Sequence, residues 1–169
     1  MDNTIHTALN DIAASQASPT QKTKDATIML MEYLHTHHNA EIRYEASDMQ
    51  LYVDSDAAYL VAPKAKSRIS GYLHLGDLYI ANYNLEPTLN APVHIECQVL
   101  KHVVSSAAEA ETSAIFLNMK SAIWIKRMLL ALGHPQHIIP LTTDNSTTTS
   151  FSNSTLREKK TKAWDLKTE

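Results

Sequence analysis

Leu51-Tyr-Val-Asp-Ser-Asp-Ala-Ala-Tyr59 is the stretch from which the fold is inferred. Leu51 and Val53 alternate with Tyr52 and Asp54, which is the pattern of a β-strand, and we predict a strand over Met49–Asp54. Aspartate is depleted in strands, so Asp54 breaks a local rule, and such breaks tend to mark functional sites. A site at Asp54 requires other carboxylates at the same edge.

The composition indicates one ordinary domain with an extension. The chain has 169 residues, 44% of them hydrophobic, and a formal net charge of −3. This charge argues against a surface that binds nucleic acid everywhere, but it allows a local basic patch. The single Cys97 excludes an internal disulfide and fits a reducing compartment. No apolar run approaches the ~20 residues of a membrane span, so no membrane partner is expected.

Two helices are predicted before the opening strand. The first covers residues 3–16, whose apolar side chains recur at helical spacing. The second begins after Ser18-Pro19, which offers an N-cap followed by proline at the first helical position, and runs to about His37. A short strand over Glu41–Tyr44 follows. These elements form an N-terminal helical appendage, residues 1–48, ahead of a main domain of residues 49–169.

The main domain is predicted to begin with an antiparallel meander. A loop covers Ala57–Lys66, and alternating side chains then predict strands over Arg68–Leu75, Leu78–Tyr83 and Pro92–Cys97. Gly76-Asp77 is typical of a hairpin turn.

A long helix and a parallel strand are predicted after the meander. The helix runs from about Ala107 to Leu132, between the N-cap pair Ser105-Ser106 and Gly133. His137–Leu141 follows a helix, so we expect a strand parallel to an earlier one, and a short helix from Ser146. The helix residues predicted to face inward are Ala108, Thr112, Ile115, Phe116, Met119, Ala122 and Ile123.

Three carboxylates are predicted to meet at one edge of this sheet. Asp54 ends the first strand, Glu109 lies in the first turn of the long helix, and Asp144 follows the parallel strand. Converging carboxylates repel one another unless a cation lies among them, and hard oxygen ligands select Mg²⁺ or Mn²⁺. Glu111, in the same first turn, is interpreted as complementing the helix dipole.

Four motifs in order resemble the ribonuclease H domain of a copia-type LTR retrotransposon polyprotein. They are Val53-Asp54, Ser67-Arg-Ile-Ser-Gly-Tyr72, Ser105-Ser-Ala-Ala-Glu-Ala-Glu111 and Thr143-Asp-Asn145. The family has an Asp-x-Asp stretch, an Arg-Ser-Thr-Ser-Gly-Tyr-like strand, a Ser-Ser-Thr-Glu-Ala-Glu helix start and an Asp-Asn strand end. Residues 1–48 are similar to the segment that connects the polymerase to this domain.

The resemblance implies a mixed five-stranded α/β sheet with flanking helices and a two-metal nuclease. Asp54, Glu109 and Asp144 would be catalytic and would hold two Mg²⁺ or Mn²⁺ ions. The reaction would be endonucleolytic hydrolysis of the RNA strand of an RNA/DNA hybrid, recognised through its backbone and 2′-hydroxyls. The parent polymerase domain would be a partner, and the protein would act inside the cell, in a cytoplasmic element particle or in the nucleus. Phosphate contacts are expected from Lys64, Lys66, Arg68 and the basic run Arg157–Lys162, although a solvated basic face explains them equally well.

The chain departs from the family pattern at its C-terminal end. The family continues with a strand and a helix that bears a fourth acid, whereas this chain stops four residues after Asp165, which matches an earlier family element. We therefore expect a C-terminally truncated domain. One alternative is a catalytically inactive ribonuclease H-like remnant or binding module. A second is an integrase, although integrases carry their glutamate after two aspartates and here Glu109 comes between them.

Overall fold

The computed structural model describes residues 3–78 and 89–144. The chain divides into two compact units, Met1–Glu45 and Ala46–Glu169, and each is described by itself. No helix within the described residues has the length and apolar character that crossing a membrane requires.

The first unit contains two helices, α1 (His6–Ala14) and α2 (Gln21–Thr36), with a 3-10 turn before α1. The predicted cap of α2 is wrong, because Thr20 and not Ser18 is the N-cap. The Thr20 hydroxyl accepts from the Thr23 amide and the Thr23 hydroxyl accepts from the Thr20 amide, which satisfies two free helix-terminal N–H groups. The predicted strand over residues 41–44 is also wrong, because those residues form no regular element.

The second unit is a mixed α/β structure built on a sheet that has four strands in the described part of the chain. They are β1 (Gln50–Ala62), β2 (Lys66–Gly76), β3 (Pro92–Val99) and β4 (Leu141–Thr142). The order is β3-β2-β1-β4, with the first three strands antiparallel and β4 parallel to β1. The mixed sheet is confirmed, but two of its details differ from the prediction. Strand β2 pairs directly with β3, whereas the predicted meander had the strand Leu78–Tyr83 between them. The parallel last strand covers Leu141–Thr142 and not His137–Leu141. The fifth strand is not seen among these residues.

Two predicted elements lie largely or wholly outside the described residues. They are the strand over Leu78–Tyr83 and the short helix from Ser146.

Strand β1 is longer than predicted. It ends at Ala62, eight residues beyond the predicted end at Asp54. The loop predicted over residues 57–66 is therefore wrong. The chain reverses through Lys64 and Ala65, whose φ angles are 62° and 52°, and pairing resumes at Ala62 and Lys66. The pairing with β2 is interrupted by a bulge between Ala58 and Ala62. The sequence around Pro63 and the alanines has weak strand propensity, and pairing with β2 overrides it.

Helix α3 (Ala107–Ala131) packs on the sheet face that carries Leu51, Val53 and Leu73. Its buried residues are mostly small or polar: Ala110, Glu111, Ser113, Ala114, Asn118, Ala122 and Leu129. The inward orientation predicted for Phe116 and Ile123 is wrong, since they are 60% and 47% exposed.

Gly71 explains why the residues of α3 that face the sheet are small. A Cβ atom at Gly71 would lie 2.1 Å from Asn118 Oδ1, so helix and strand approach more closely than large side chains permit. Asn118 is fully buried and donates to Ser55 Oγ (2.8 Å) and to the Ser70 carbonyl (2.9 Å). The large apolar residues of α3 are consequently displaced to its outer face.

Gln136 holds the segment after α3 beside the start of β1. Its Oε1 accepts from the Leu51 amide (2.8 Å) and from Gln50 Nε2 (3.1 Å), and its Nε2 donates to the Met49 carbonyl (2.9 Å). Gln136 and Gln50 are both buried, so these bonds are protected from water. They align β4 with β1, and this alignment determines where Asp144 lies.

Candidate metal centre

Three carboxylates meet at the edge of the sheet, on Asp56, Glu111 and Asp144. One oxygen of each lies within 4.8 Å of one oxygen of each of the others. Asp56 and Asp144 are exposed, whereas Glu111 is buried. The three come from β1, from the second turn of α3 and from the residue two positions after β4.

Strand register brings the two aspartates together. Asp54 pairs with Thr142 in the parallel β1–β4 ladder, so two residues further along each chain Asp56 is level with Asp144. Glu111 reaches the same place from the helix, where its Oε1 accepts a hydrogen bond from the Ala57 amide at 3.2 Å. This bond fastens the start of α3 to β1 immediately beside Asp56.

Glu111 is the electrostatic centre of the group. Its side chain is only 5% exposed, and its Oε2 has no hydrogen-bond partner. The pKa of Glu111 is raised to about 7, mainly by burial and in addition by the negative charges of Asp56 and Asp144. Hydrogen bonds from the Ala57 amide and the Thr143 side chain act in the opposite direction. The charged form of Glu111 therefore lacks sufficient compensation within the protein.

The chemistry of the group fits a hard divalent cation. Carboxylate oxygens are the ligands that Mg²⁺ and Mn²⁺ prefer, and a cation would relieve the repulsion among the three side chains. The buried Glu111 Oε2, which no protein group satisfies, is the additional observation that distinguishes this group from an ordinary acidic surface. The cluster of Asp56, Glu111 and Asp144 could bind a metal ion.

The residues predicted from the sequence are only partly in this group. Asp144 belongs to it. Asp54 lies with its Oδ2 3.7 Å from Nδ1 of His74, and its side chain is 39% exposed. Glu109 caps the start of α3, because its Oε2 accepts from the amide (2.8 Å) and the hydroxyl (2.6 Å) of Ser105. The catalytic role assigned to Asp54, Glu109 and Asp144 stays a prediction.

Asp56 and Glu111 were missed for two different reasons. Asp56 lies beyond the predicted strand end at Asp54, so it was not expected at the edge of the sheet, whereas β1 continues to Ala62. Glu111 was assigned to the helix dipole, yet Ser106-x-x-Glu109 is a capping-box spacing. That spacing commits Glu109 to the helix start, where the Ser106 hydroxyl accepts from the Glu109 amide at 3.1 Å, and it leaves Glu111 for another role.

The predicted phosphate contacts are divided between described and undescribed residues. Lys64 and Lys66 lie at the β1–β2 turn, and Arg68 lies on β2 with its Nη1 3.8 Å from Cys97 Sγ. The run Arg157–Lys162 and Asp165 lie outside the described residues. The role of these cations in binding phosphate stays a prediction.

Comparisons with protein-family models, with curated proteins and with solved structures find no match for this chain.

Proposed function

We propose that the chain is a metal-dependent phosphodiester hydrolase of the ribonuclease H type, centred on Asp56, Glu111 and Asp144. The observation that carries the proposal is the buried Glu111 Oε2, which lacks a partner beside two exposed carboxylates. A mixed sheet with a parallel strand beside β1 and a helix packed on one face is compatible with this fold. The substrate, the RNA strand of an RNA/DNA hybrid, follows from the resemblance of the four motifs.

The protein groups have separate tasks in this proposal. Glu111 is anchored by the Ala57 amide and offers its second oxygen from a buried position. Asp56 and Asp144 face solvent, so the side from which substrate approaches stays open. A bound Mg²⁺ or Mn²⁺ would activate water and stabilise the leaving oxygen.

The number of metal ions that we expect follows from the number of carboxylate ligands. The three carboxylates of the cluster suffice to hold one ion, and a second ion, which the resemblance implies, needs a further acid. We therefore expect one tightly held ion, and a second that binds weakly. The polymerase domain as partner, and action in the cytoplasm or the nucleus, belong to the same proposal.

Two pairs of matched variants test the proposal. We expect Asp56→Asn and Glu111→Gln to reduce Mn²⁺-dependent cleavage of a labelled RNA/DNA hybrid to background. The controls are Asp54→Asn and Glu109→Gln, which change the same residue types two positions away and should retain most of the activity. Mn²⁺ binding measured by calorimetry on the same proteins should follow the same division.

Two outcomes contradict the proposal in distinguishable ways. Activity that depends on Asp54 and Glu109 but not on Asp56 and Glu111 would assign the site to the residues predicted from the motifs. Cleavage at background for the unmodified chain, together with hybrid binding, would identify an inactive binding module.

A further inference from the structure

The outer face of α3 carries large apolar side chains although it is exposed to solvent. Phe116, Ile123 and Leu130 follow one another at intervals of seven residues, and Leu130 is 59% exposed. Trp124, also exposed, lies beside Ile123. On the opposite face of the same helix, Ala114, Asn118 and Ala122 contact the sheet side of the molecule. A helix that is apolar on both faces normally buries both.

Two cations complete the outer face. Lys120 and Arg127 lie between the apolar residues, so the series Phe116, Lys120, Ile123, Arg127, Leu130 advances by four, three, four and three residues. We refer to these five residues as the outer seam. Arg127 Cζ lies 4.9 Å from the centroid of the Trp124 ring. Neither cation forms an ion pair with a carboxylate in the described part of the chain, and α3 has no acidic residue after Glu111.

The spacing of the outer seam is that of a coiled-coil contact. Alternating steps of three and four keep one stripe of a helix facing a partner helix, with the apolar residues here at every second position. The remaining positions hold cations seven residues apart, a rise of about 10 Å along the axis. A complementary helix needs apolar side chains at the same alternation and carboxylates one heptad apart.

We infer that the outer seam is the docking surface for an amphipathic helix of a partner protein that carries carboxylates opposite Lys120 and Arg127. Charge complementarity selects this occupant. Burial of the three apolar residues supplies affinity, and the two cations determine which helices are accepted. The inference does not depend on the proposed hydrolase function, because none of the outer-seam residues belongs to the acidic cluster.

Two other occupants fit less well. A second copy of α3 would place cation against cation, or cations against apolar side chains, because the outer seam has no carboxylate. A nucleic acid would pair its phosphates with Lys120 and Arg127, but it offers no counterpart for the aliphatic Ile123 and Leu130.

Trp124 provides a direct readout for the test. The chain has two tryptophans, and Trp164→Phe leaves Trp124 as the only one. The probes are two synthetic helical peptides of about three heptads with leucine at the apolar positions. One carries glutamate and the other lysine at the positions facing Lys120 and Arg127. We expect the glutamate peptide to shift the Trp124 emission to shorter wavelength and to bind about tenfold more tightly than the lysine peptide.

A charge-reversed variant controls for unspecific apolar binding. Lys120→Glu combined with Arg127→Glu should reverse the preference between the two peptides. Both positions are exposed, so circular dichroism and the thermal midpoint should stay unchanged. The inference is overturned if neither peptide gives a saturable shift or if the double variant keeps the original preference. It is also overturned if a single-stranded oligonucleotide displaces the glutamate peptide, or if the unmodified chain self-associates through the outer seam and the variant does not.

Discussion

Glu111 and His74 are both almost excluded from solvent, and they respond to burial in opposite ways. Glu111 belongs to the helix on one face of the sheet, whereas His74 projects from the other face, stacked 5.3 Å from the ring of Tyr52. Each has a buried polar atom without a hydrogen-bond partner, and His74 is only 2% exposed. Burial raises the pKa of Glu111 to about 7 and lowers the pKa of His74 below its usual value.

The charged residues beside Glu111 and His74 have opposite effects on the cost of ionising the two side chains. Asp56 and Asp144 have the same sign as ionised Glu111, so they increase the cost of its charge, which either a proton or an added cation relieves. Asp54 has the opposite sign to protonated His74 and partly offsets the effect of burial on its pKa. The buried Glu111 is therefore a candidate cation ligand. At His74, the protein itself supplies a charge that partly offsets the effect of burial.

The largest effect is expected from Gly71→Ala, which would change only the α3 side of this comparison. The added methyl group would displace the buried Asn118, with its two hydrogen bonds, and destabilise the protein by about 3 kcal/mol. Because α3 would move away from the sheet, Glu111 would become hydrated and its pKa would fall, while that of His74 would not change. Urea denaturation and pH titration by NMR measure these effects.

Two controls accompany Gly71→Ala. Gly133→Ala introduces the same methyl group where no atom lies within 4 Å, so it tests backbone strain alone at a φ of 89°. Adding Asn118→Ala to Gly71→Ala should recover part of the lost stability by making room for the methyl group. Absence of any recovery would contradict steric contact as the cause.

The pH dependence of stability should reveal Glu111 in protein treated with a chelator. The folded-state pKa of about 7 lies above the ordinary value of 4.5, so the unfolded chain releases this proton first as pH rises. Stability should therefore fall by on the order of 2 kcal/mol between pH 4.5 and pH 7. Glu111→Gln should remove this fall, as measured by thermal midpoints across that range.

Added Mn²⁺ should reduce this loss of stability. Above pH 7 the ion should raise the midpoint of the unmodified chain and leave that of Asp56→Asn unchanged, because ligand binding stabilises only a folded state that has the site. A fall that persists in Glu111→Gln would locate the titrating group elsewhere.

His74 should give a smaller effect in the opposite direction. Its folded-state pKa lies below 6.5, so the unfolded chain takes up the proton first as pH falls, and stability is lost below pH 6.5. We expect His74→Phe, which keeps a ring beside Tyr52, to remove this acid sensitivity. Asp54→Asn should increase the sensitivity, since Asp54 raises the pKa of His74. Unchanged acid unfolding in both variants would contradict this assignment.

The smallest effect is expected from Glu109→Gln, two residues from Glu111. Glu109 accepts two hydrogen bonds from Ser105 at the start of α3, where a negative charge also complements the helix dipole. Its replacement should cost about 0.5–1 kcal/mol, measured by urea denaturation at neutral pH. The pH dependence attributed to Glu111 should remain intact in this variant, and its loss would show that the two glutamates are coupled.

Several features of the molecule follow from local sequence pattern. The bounds of α3 agree with prediction to within one residue at its C-terminal end, because Ser106 caps it and Gly133 follows its last turn. The antiparallel strands around Arg68–Leu75 and Pro92–Cys97 and the parallel orientation of the last strand were predicted correctly from alternation and chain order, although β2 pairs directly with β3. Asp144 was correctly expected to follow that last strand.

The partners of Asp144 depend on contacts between residues distant in sequence. Asp54 and Asp56 carry the same charge and lie two positions apart in the sequence. The same is true of Glu109 and Glu111. Only the β1–β4 register, aligned through Gln136, places Asp56 level with Asp144.

The sequence by itself determined the order of the elements and the residue types available to the site. The tertiary structure decided which carboxylates meet and which face of α3 is buried. The close approach at Gly71 turns small residues inward and leaves Phe116 and Ile123 outside, against the usual expectation for large apolar side chains. The physical reason is that hydrophobic periodicity is a local property, whereas strand register and the depth of helix packing are set by steric fit and hydrogen bonds across the fold.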